Sequence, residues 1–469
     1  MSKDMTSTSI CGTSNITSGF IDLATFDEIE KYMYGSSDAY AYFVRESRKS
    51  TWFTQVPVAL SRGSGSPGFN QEWSVNISRA GDYLLHTWLR VVIPEVVLLQ
   101  GNQFAENGRL RWTRNFMHNL IRECCISFND LVAARFDNYH LDFWAAFTVP
   151  ASKRVGYDNM VGNVDSLISP HGVGDPLRSQ ALNLPLPFFF SRDSGVALPT
   201  AALPYNEMRI TFNFRNWNDL LILDNSLQPA DTNNTVVPVV PTDIATVPEL
   251  SAVQVWANYA IVSNEERKRM ACAPRDLLIE QVQTAPRQTF APLTNPTPVY
   301  DIRFSHAIKA LFFAVRNTTH TNVWSNYTSA SPVTGPQTVV FEPSNAFDPI
   351  TRTTITYENT TRLAQMGSDY FSYVNPWYHA PTIPDPTGYH SYSYSLDFYA
   401  IDPLGSTNYG KLTNVSISPE ASTFAITGAG GNGGAGSGAD YAQTFEFITT
   451  VINNTIIRIS GGALGFPVL

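Results

Sequence analysis

Short segments in which every second residue is apolar recur along this chain, and they limit its fold more than any other feature. Ile210, Phe212 and Phe214 alternate with Arg209, Thr211, Asn213 and Arg215, the period of a strand buried on one face. Tyr300, Ile302 and Phe304 repeat the pattern against Asp301, Arg303 and Ser305, and Tyr392, Tyr394, Leu396 and Phe398 against Ser391, Ser393, Ser395 and Asp397. Denser apolar runs at 311–315 and 187–190 predict strands covered on both faces. Connections rich in Pro, Gly, Asn and Thr separate these segments. That order predicts sandwiches of antiparallel sheets and excludes alternating βαβ units. Helices are expected to be few and short. Phe26, Ile29 and Met33 share one helical face, with Thr25 as N-cap and Glu28 in the acidic first turn. A second helix is expected over 140–147, where Leu141, Trp144 and Ala145 face one way.

Composition narrows the class. The chain has 469 residues, of which 43% are hydrophobic, 12% aromatic and 15% charged. Length alone suggests about two to four domains, and so few charges with so many aromatics exclude disorder over most of the chain. The formal charge of −9 argues against wrapping nucleic acid, which requires a surplus of cations. Cys11, Cys124, Cys125 and Cys272 show no framework spacing, so a reducing folding compartment is expected. No secretory leader is recognisable at the start. The apolar run at 91–99 is broken by Pro94 and Glu95 and is too short to span a bilayer. Ser2, where N-myristoylation needs glycine, excludes that anchor. Sequons at Asn15, Asn76, Asn233, Asn317, Asn326, Asn359, Asn414 and Asn453 are read as a surface rich in Asn, Thr and Ser.

The side chains able to do chemistry show no catalytic pattern. The eight histidines (His86, His118, His140, His171, His306, His320, His379 and His390) show no metal-ligand spacing beyond the common His140-Leu141-Asp142. Ser64 and Ser437 lie in glycine-rich loops, outside any nucleophile elbow. Cys124 and Cys125 sit in an apolar strand as small buried residues. Glu265-Glu266 before Arg267, Lys268 and Arg269 reads as a solvated turn, and Ser191, Arg192 and Asp193 as a structural polar cluster. No catalytic residue, cofactor site or metal site is expected. The glycine tract at 428–439 holds no Lys or Arg and reads as a surface loop, not a phosphate cradle. A Pro, Thr, Val and Asn-rich stretch at 224–248 marks a boundary. Either side of it, His118, Leu120, Ile121, Cys124 to Ile126 and Phe128 are faintly echoed by His306, Ile308, Leu311 to Phe313 and Val315. Stiff apolar connections, such as Asn375-Pro376-Trp377-Tyr378-His379-Ala380-Pro381, and the apolar run at 456–469 need cover from the chain or from neighbours.

Several long motifs carry a family resemblance. Gly156-Tyr157-Asp158-Asn159-Met160, Leu184-Pro185-Leu186-Pro187-Phe188-Phe189-Phe190-Ser191-Arg192-Asp193 and Gly405-Ser406-Thr407-Asn408-Tyr409-Gly410-Lys411-Leu412 resemble the major capsid protein family of iridovirids, nearest to the invertebrate iridescent viruses. So do the segments 17–25, 201–210 and 461–466, and the likeness spans essentially the whole chain. It implies an all-β double jelly roll, two eight-stranded antiparallel sandwiches in tandem. It divides the chain into an N-terminal arm (1–18), a first jelly roll with its N-terminal helix (19–222), a linker (223–250) and a second jelly roll (251–469). It further implies a homotrimer whose paired jelly rolls make a pseudo-hexagonal capsomer tiling the outer icosahedral shell of a large double-stranded DNA virus. The expected partners are neighbouring capsomers and minor capsid proteins on the inner face. An internal lipid membrane would lie near but unspanned, and host surfaces would meet the outer loops, with no direct nucleic acid contact. The expected place is the virion, after synthesis and assembly in host cytoplasm. The competing reading is a carbohydrate-binding β-sandwich or receptor-binding surface protein, with Trp324, Tyr327 and Trp377 as its aromatic contacts.

Overall fold

A computed structural model describes residues 16–99, 108–224, 236, 238–329, 347–430 and 442–466. Cys11, Ser437, part of the linker, all but the start of the glycine tract and the last three residues lie outside the described residues. So do the sequons at Asn15 and Asn233. The chain divides into two units, 1–51 and 52–469.

Strand Met208–Phe214 shows how the alternation works: Met208, Ile210, Phe212 and Phe214 are buried, while the residues between them are only partly covered. It lies third in a five-stranded antiparallel sheet ordered Ser61–Gly65, Glu72–Asn76, Met208–Phe214, Ile121–Phe128, Leu131–Asp137. A four-stranded sheet ordered Phe53–Ala59, Ser251–Val262, Tyr83–Ile93, Gln180–Pro185 makes the other layer. Trp73, Val75, Leu89, Val91, Ile210 and Phe212 belong to the core they share. The strand expected to open the second jelly roll, Ser251–Val262, is therefore hydrogen-bonded between two strands of the first half.

After Val262 the pattern repeats. A seven-stranded sheet is built on the path Arg275–Thr284, Phe445–Ser460, Ala307–Asn317, His390–Ser393, and a four-stranded sheet runs Tyr300–Asp301, Val415–Ala421, Ile350–Tyr357, Thr360–Gly367. Strand Ala307–Asn317 is buried on both faces, as expected. A register shift between Ile308 and Ala310 lets Ile308, Leu311, Phe313 and Val315 line the second core, while Ala310, Phe312 and Ala314 face the first. Burying one phenylalanine side chain contributes roughly 2 kcal/mol, so Phe312 and Phe313 stabilise opposite sides of one strand. Phe312 meets Phe143 and Phe147 of helix Asn138–Thr148, with ring centroids 6.0 and 5.4 Å apart. That helix, the second one expected, thus couples the two sandwiches.

Local expectations failed where a turn or cap decided the outcome. Helix Glu28–Met33 is capped by Asp27, not Thr25. The Asp27 carboxylate accepts from Ile29 and Glu30 amides at 3.0 Å, and Glu30 reaches back to the Asp27 amide, the reciprocal box that Thr25 is too far away to make. A separate helix, Ile16–Ala24, precedes it. The segment 187–190 is not a strand, since Phe189–Ser191 forms a 3-10 turn that still buries Phe189 and Phe190. The strand at 392 stops at Ser393, and Leu396 is 71% exposed. Only Tyr300–Asp301 pairs as a strand, although Tyr300, Ile302 and Phe304 are all buried. Residues 265–269 form part of helix Asn264–Cys272, not a turn, and Arg267 binds Asp82 at 2.8 and 2.9 Å. The His118–His306 echo does not extend to environment: His118 is buried, whereas His306 is exposed with φ +65°.

Candidate functional site

The polar groups with the most organised geometry lie between the sandwiches. Helix Asn138–Thr148 carries Asp142 into the interior, where each carboxylate oxygen serves one half of the chain. Oδ1 meets Asn115 Nδ2 at 3.2 Å and His118 Nδ1 at 2.8 Å, while Oδ2 accepts from Ser325 Oγ and Tyr327 OH at 2.8 Å each. His118 Nε2 lies 2.6 Å from the Tyr157 hydroxyl. An Asp–His–Tyr chain can relay protons, but His118 is 1% exposed. Burial first, then the Asp142 charge, push the Tyr157 phenol well above its ordinary range, so it stays a proton donor. This arrangement holds the two halves together.

A second junction is ionic. Glu280 binds Lys309 through Oε1 and Arg192 through Oε2. Lys309 also donates to the Ala400 carbonyl and Arg192 to the Tyr399 carbonyl. The Arg192 guanidinium lies over the rings of Trp144 and Tyr399, 4.5 and 4.7 Å from their centroids. Arg192 therefore reaches across to Glu280, away from the neighbouring Asp193 that the sequence paired it with.

A third cluster joins Asp348, Ser368 and His390. Ser368 Oγ and His390 Nε2 both approach Asp348 Oδ2, at 2.8 and 2.9 Å, and each other at 2.7 Å. A proton relay needs the acid and the nucleophile on opposite ring nitrogens, whereas here both share one. Among the described residues, no group of three or more His, Cys, Asp or Glu is placed to hold a metal ion. Cys124 is buried, and burial drives its thiol far above the ordinary range, which keeps it unreactive.

What remains uncovered is apolar. Every described residue of 16–51 is exposed, among them Phe20, Phe26, Ile29, Tyr32 and Phe43. On the larger unit Trp377, Tyr378 and Leu396 are 70%, 72% and 71% exposed. A groove of about 940 Å³ is walled by Trp88, Leu141, Trp144, Met160, Pro185 and Tyr399. Uncovered apolar surface of this extent marks places where other macromolecules pack. Among the described residues no helix is long and apolar enough to cross a membrane.

Comparison with known proteins shows the family of the chain. Residues 41–262 match the family described as "Major capsid protein N-terminus", and residues 266–465 match "Large eukaryotic DNA virus major capsid protein". The chain is 70% identical over 464 residues to the major capsid protein of Invertebrate iridescent virus 6, covering 97% of this chain and 99% of that one. The chain belongs to this capsid protein family. It is also 47% identical to the major capsid protein of Rana tigrina ranavirus, over 97% of this chain and 99% of its relative. Among solved structures it resembles the PBCV-1 virus capsid (TM-score 0.71, 20% identity, covering 92% of this chain and 100% of that one) and the Faustovirus major capsid protein (0.69, 11%, 90% and 93%). These neighbours are double jelly rolls, and so is this chain. The family is one of structural capsid proteins, not of enzymes, and its place is the virion capsid.

Within that family the aromatic residues expected to touch sugars divide. Trp324 and Tyr327 are buried, 6% and 1% exposed, and only Trp377 faces solvent. Three sequons also lie inside: Asn317, Asn326 and Asn453 are buried, so they are structural polar groups, not surface ones. The Asp142 and Glu280 junctions escaped sequence reading. Their partners are separated by up to 185 residues, and no local spacing announces them.

Proposed function

We propose that three copies of this chain form a pseudo-hexagonal capsomer, and that such capsomers tile the outer icosahedral shell of a large double-stranded DNA virus. The observation that carries this is the pair of sandwiches locked through one strand, Ala307–Asn317, whose two faces serve two cores. A rigid pair of similar units lets a threefold assembly present six comparable edges, which pack hexagonally. The first jelly roll is taken to run through Val262 and the second to begin at the helix that follows. Two observations support this division: the pairing of Ser251–Val262 and the change of family pattern between residues 262 and 266.

The exposed N-terminal segment supplies contacts to minor capsid proteins on the inner face, above an internal lipid membrane that the chain does not span. Outer loops face the host surface, the chain makes no direct nucleic acid contact, and assembly takes place in host cytoplasm. Light scattering on purified protein tests the trimer: a stable monomer under assembly conditions would overturn it. Ile29→Asp, at a residue 71% exposed, is expected to leave trimers intact and to lower incorporation into particles. Normal incorporation would remove the inner-face role.

A further inference from the structure

Two arginines of this chain are buried without a carboxylate partner. Arg215 and Arg316 are 7% and 4% exposed, and among the described residues neither makes an ion pair. Both guanidinium carbons lie 3.6 Å from the centroid of the Trp324 ring. Arg215 donates to the Asn119 carbonyl and to Asn138 Oδ1, and Arg316 to the Tyr139 hydroxyl and the carbonyls of Thr321 and Val323. The Arg316 Nε proton has no acceptor. Burial, together with the charges of Arg316 and Arg122, brings Arg215 down to about 10. Carbonyls and an indole ring satisfy these cations only in part, because none of them carries a compensating charge.

Arg316 and Trp324 line a cleft of about 470 Å³. Its rim adds Arg287, half exposed, and the hydroxyls of Thr289, Thr318, Thr321 and Thr444. Thr318 and Thr444 place their hydroxyl oxygens 3.1 Å apart. One of the two donates to the other, which leaves one hydroxyl proton free. Two acids, Asp219 and Glu446, also line the cleft. Two arginines and two acids thus line the cleft, and the one positive charge in excess is that of Arg215, which lies on the Trp324 ring just outside the lining. Glu446 draws Arg287 only loosely, at 3.7 Å.

We propose that this cleft binds a tetrahedral oxyanion, phosphate or sulfate, either free or carried on a sugar. Arg287 and Arg316 supply the charge, and the threonine hydroxyls supply neutral donors. Planar guanidinium groups beside hydroxyl donors suit an acceptor with oxygens on every side.

The test is isothermal titration of the intact protein with sodium phosphate and with sodium sulfate, ionic strength held constant with chloride. Saturable binding of one ion per chain is expected, with no response to chloride. Arg287→Gln, at an exposed position that spares folding, should weaken binding at least fivefold. Glu446→Gln releases Arg287 from its competitor and should tighten binding at least threefold. An O-sulfated monosaccharide forms the third arm: tighter binding than inorganic sulfate assigns the site to a sugar-borne group, and equal binding assigns it to the free ion. Absence of saturable binding, or equal affinity in the parent and both variants, would overturn the proposal.

Discussion

Asp142, buried, and Glu280, nearly so, are both carboxylates where the sandwiches meet, and both give one oxygen to each half of the molecule, yet their partners differ in kind. Asp142 is held by an amide, an imidazole and two hydroxyls. Glu280 is held by two cations, Lys309 and Arg192. Hydroxyls, an amide and an imidazole hold Asp142 by directed hydrogen bonds, so four groups from two segments of the chain must all be in place. Cations bring strong attraction, at the cost of stripping water from three ions together. The ionic junction is therefore the more vulnerable to loss of one member, and the hydrogen-bonded junction the more dependent on geometry. In the capsomer proposed above, both junctions would hold the two sandwiches at one angle so that six edges match.

The comparison can be broken most forcefully at Glu280. Glu280→Gln leaves the fully buried Lys309 ammonium facing no carboxylate, and should destabilise the chain by about 3–5 kcal/mol in urea denaturation. A loss below about 1 kcal/mol would show that the backbone carbonyls alone satisfy the cations.

Acid probes a buried histidine on the helix that carries Asp142. Burial, and then the Arg192 charge, lower His140 to about 3 in the folded protein. Because the unfolded chain takes up this proton first, His140 contributes its full stabilisation above about pH 6.5 and loses it progressively as pH falls toward 3. At pH 5 the loss is about 2 kcal/mol, and His140→Phe, which keeps an aromatic ring beside Trp144 and Phe136, should abolish that portion. Denaturation midpoints at pH 7 and pH 5 measure it; an unchanged difference between them would assign the acid sensitivity elsewhere.

Asp142→Asn tests the hydrogen-bonded junction. The amide keeps one acceptor oxygen and the hydroxyls can turn to accept, so the cost should be about 1–2 kcal/mol, smaller than at Glu280. If Asp142→Asn proved the more damaging, the contrast between the junctions would reverse. The smallest effect is expected at the exposed pair Arg458–Asp276, which is bidentate at 2.7 and 2.8 Å. Arg458→Ala should leave the denaturation midpoint unchanged, because solvent already screens that pair.

Sequence reading succeeded where one face of one segment carried the signal. Met208 to Phe214 alternates because one side packs on a core, and Leu311 to Val315 is apolar throughout because both sides do. It failed where pairing partners are remote or where a turn overrides the pattern. Tyr392 to Phe398 alternates, but the chain turns after Ser393. Ser251–Val262 followed a boundary in composition, yet its partners are Phe53–Ala59 and Tyr83–Ile93, which no local pattern could name. Trp324 looked like a loop aromatic open to ligands, whereas Arg215, remote in the chain, and Arg316, from the strand just before it, lie over its ring.

Alternation, sparse charge and collinear motifs by themselves determined a tandem β-sandwich chain of the capsid kind, since strand period and family motifs are local properties of sequence. Tertiary structure alone decided which strand closes the first sandwich, which carboxylates tie the halves together and which arginines stay without acids. Those depend on contacts between residues far apart in the chain, and only folding brings them within a few ångströms.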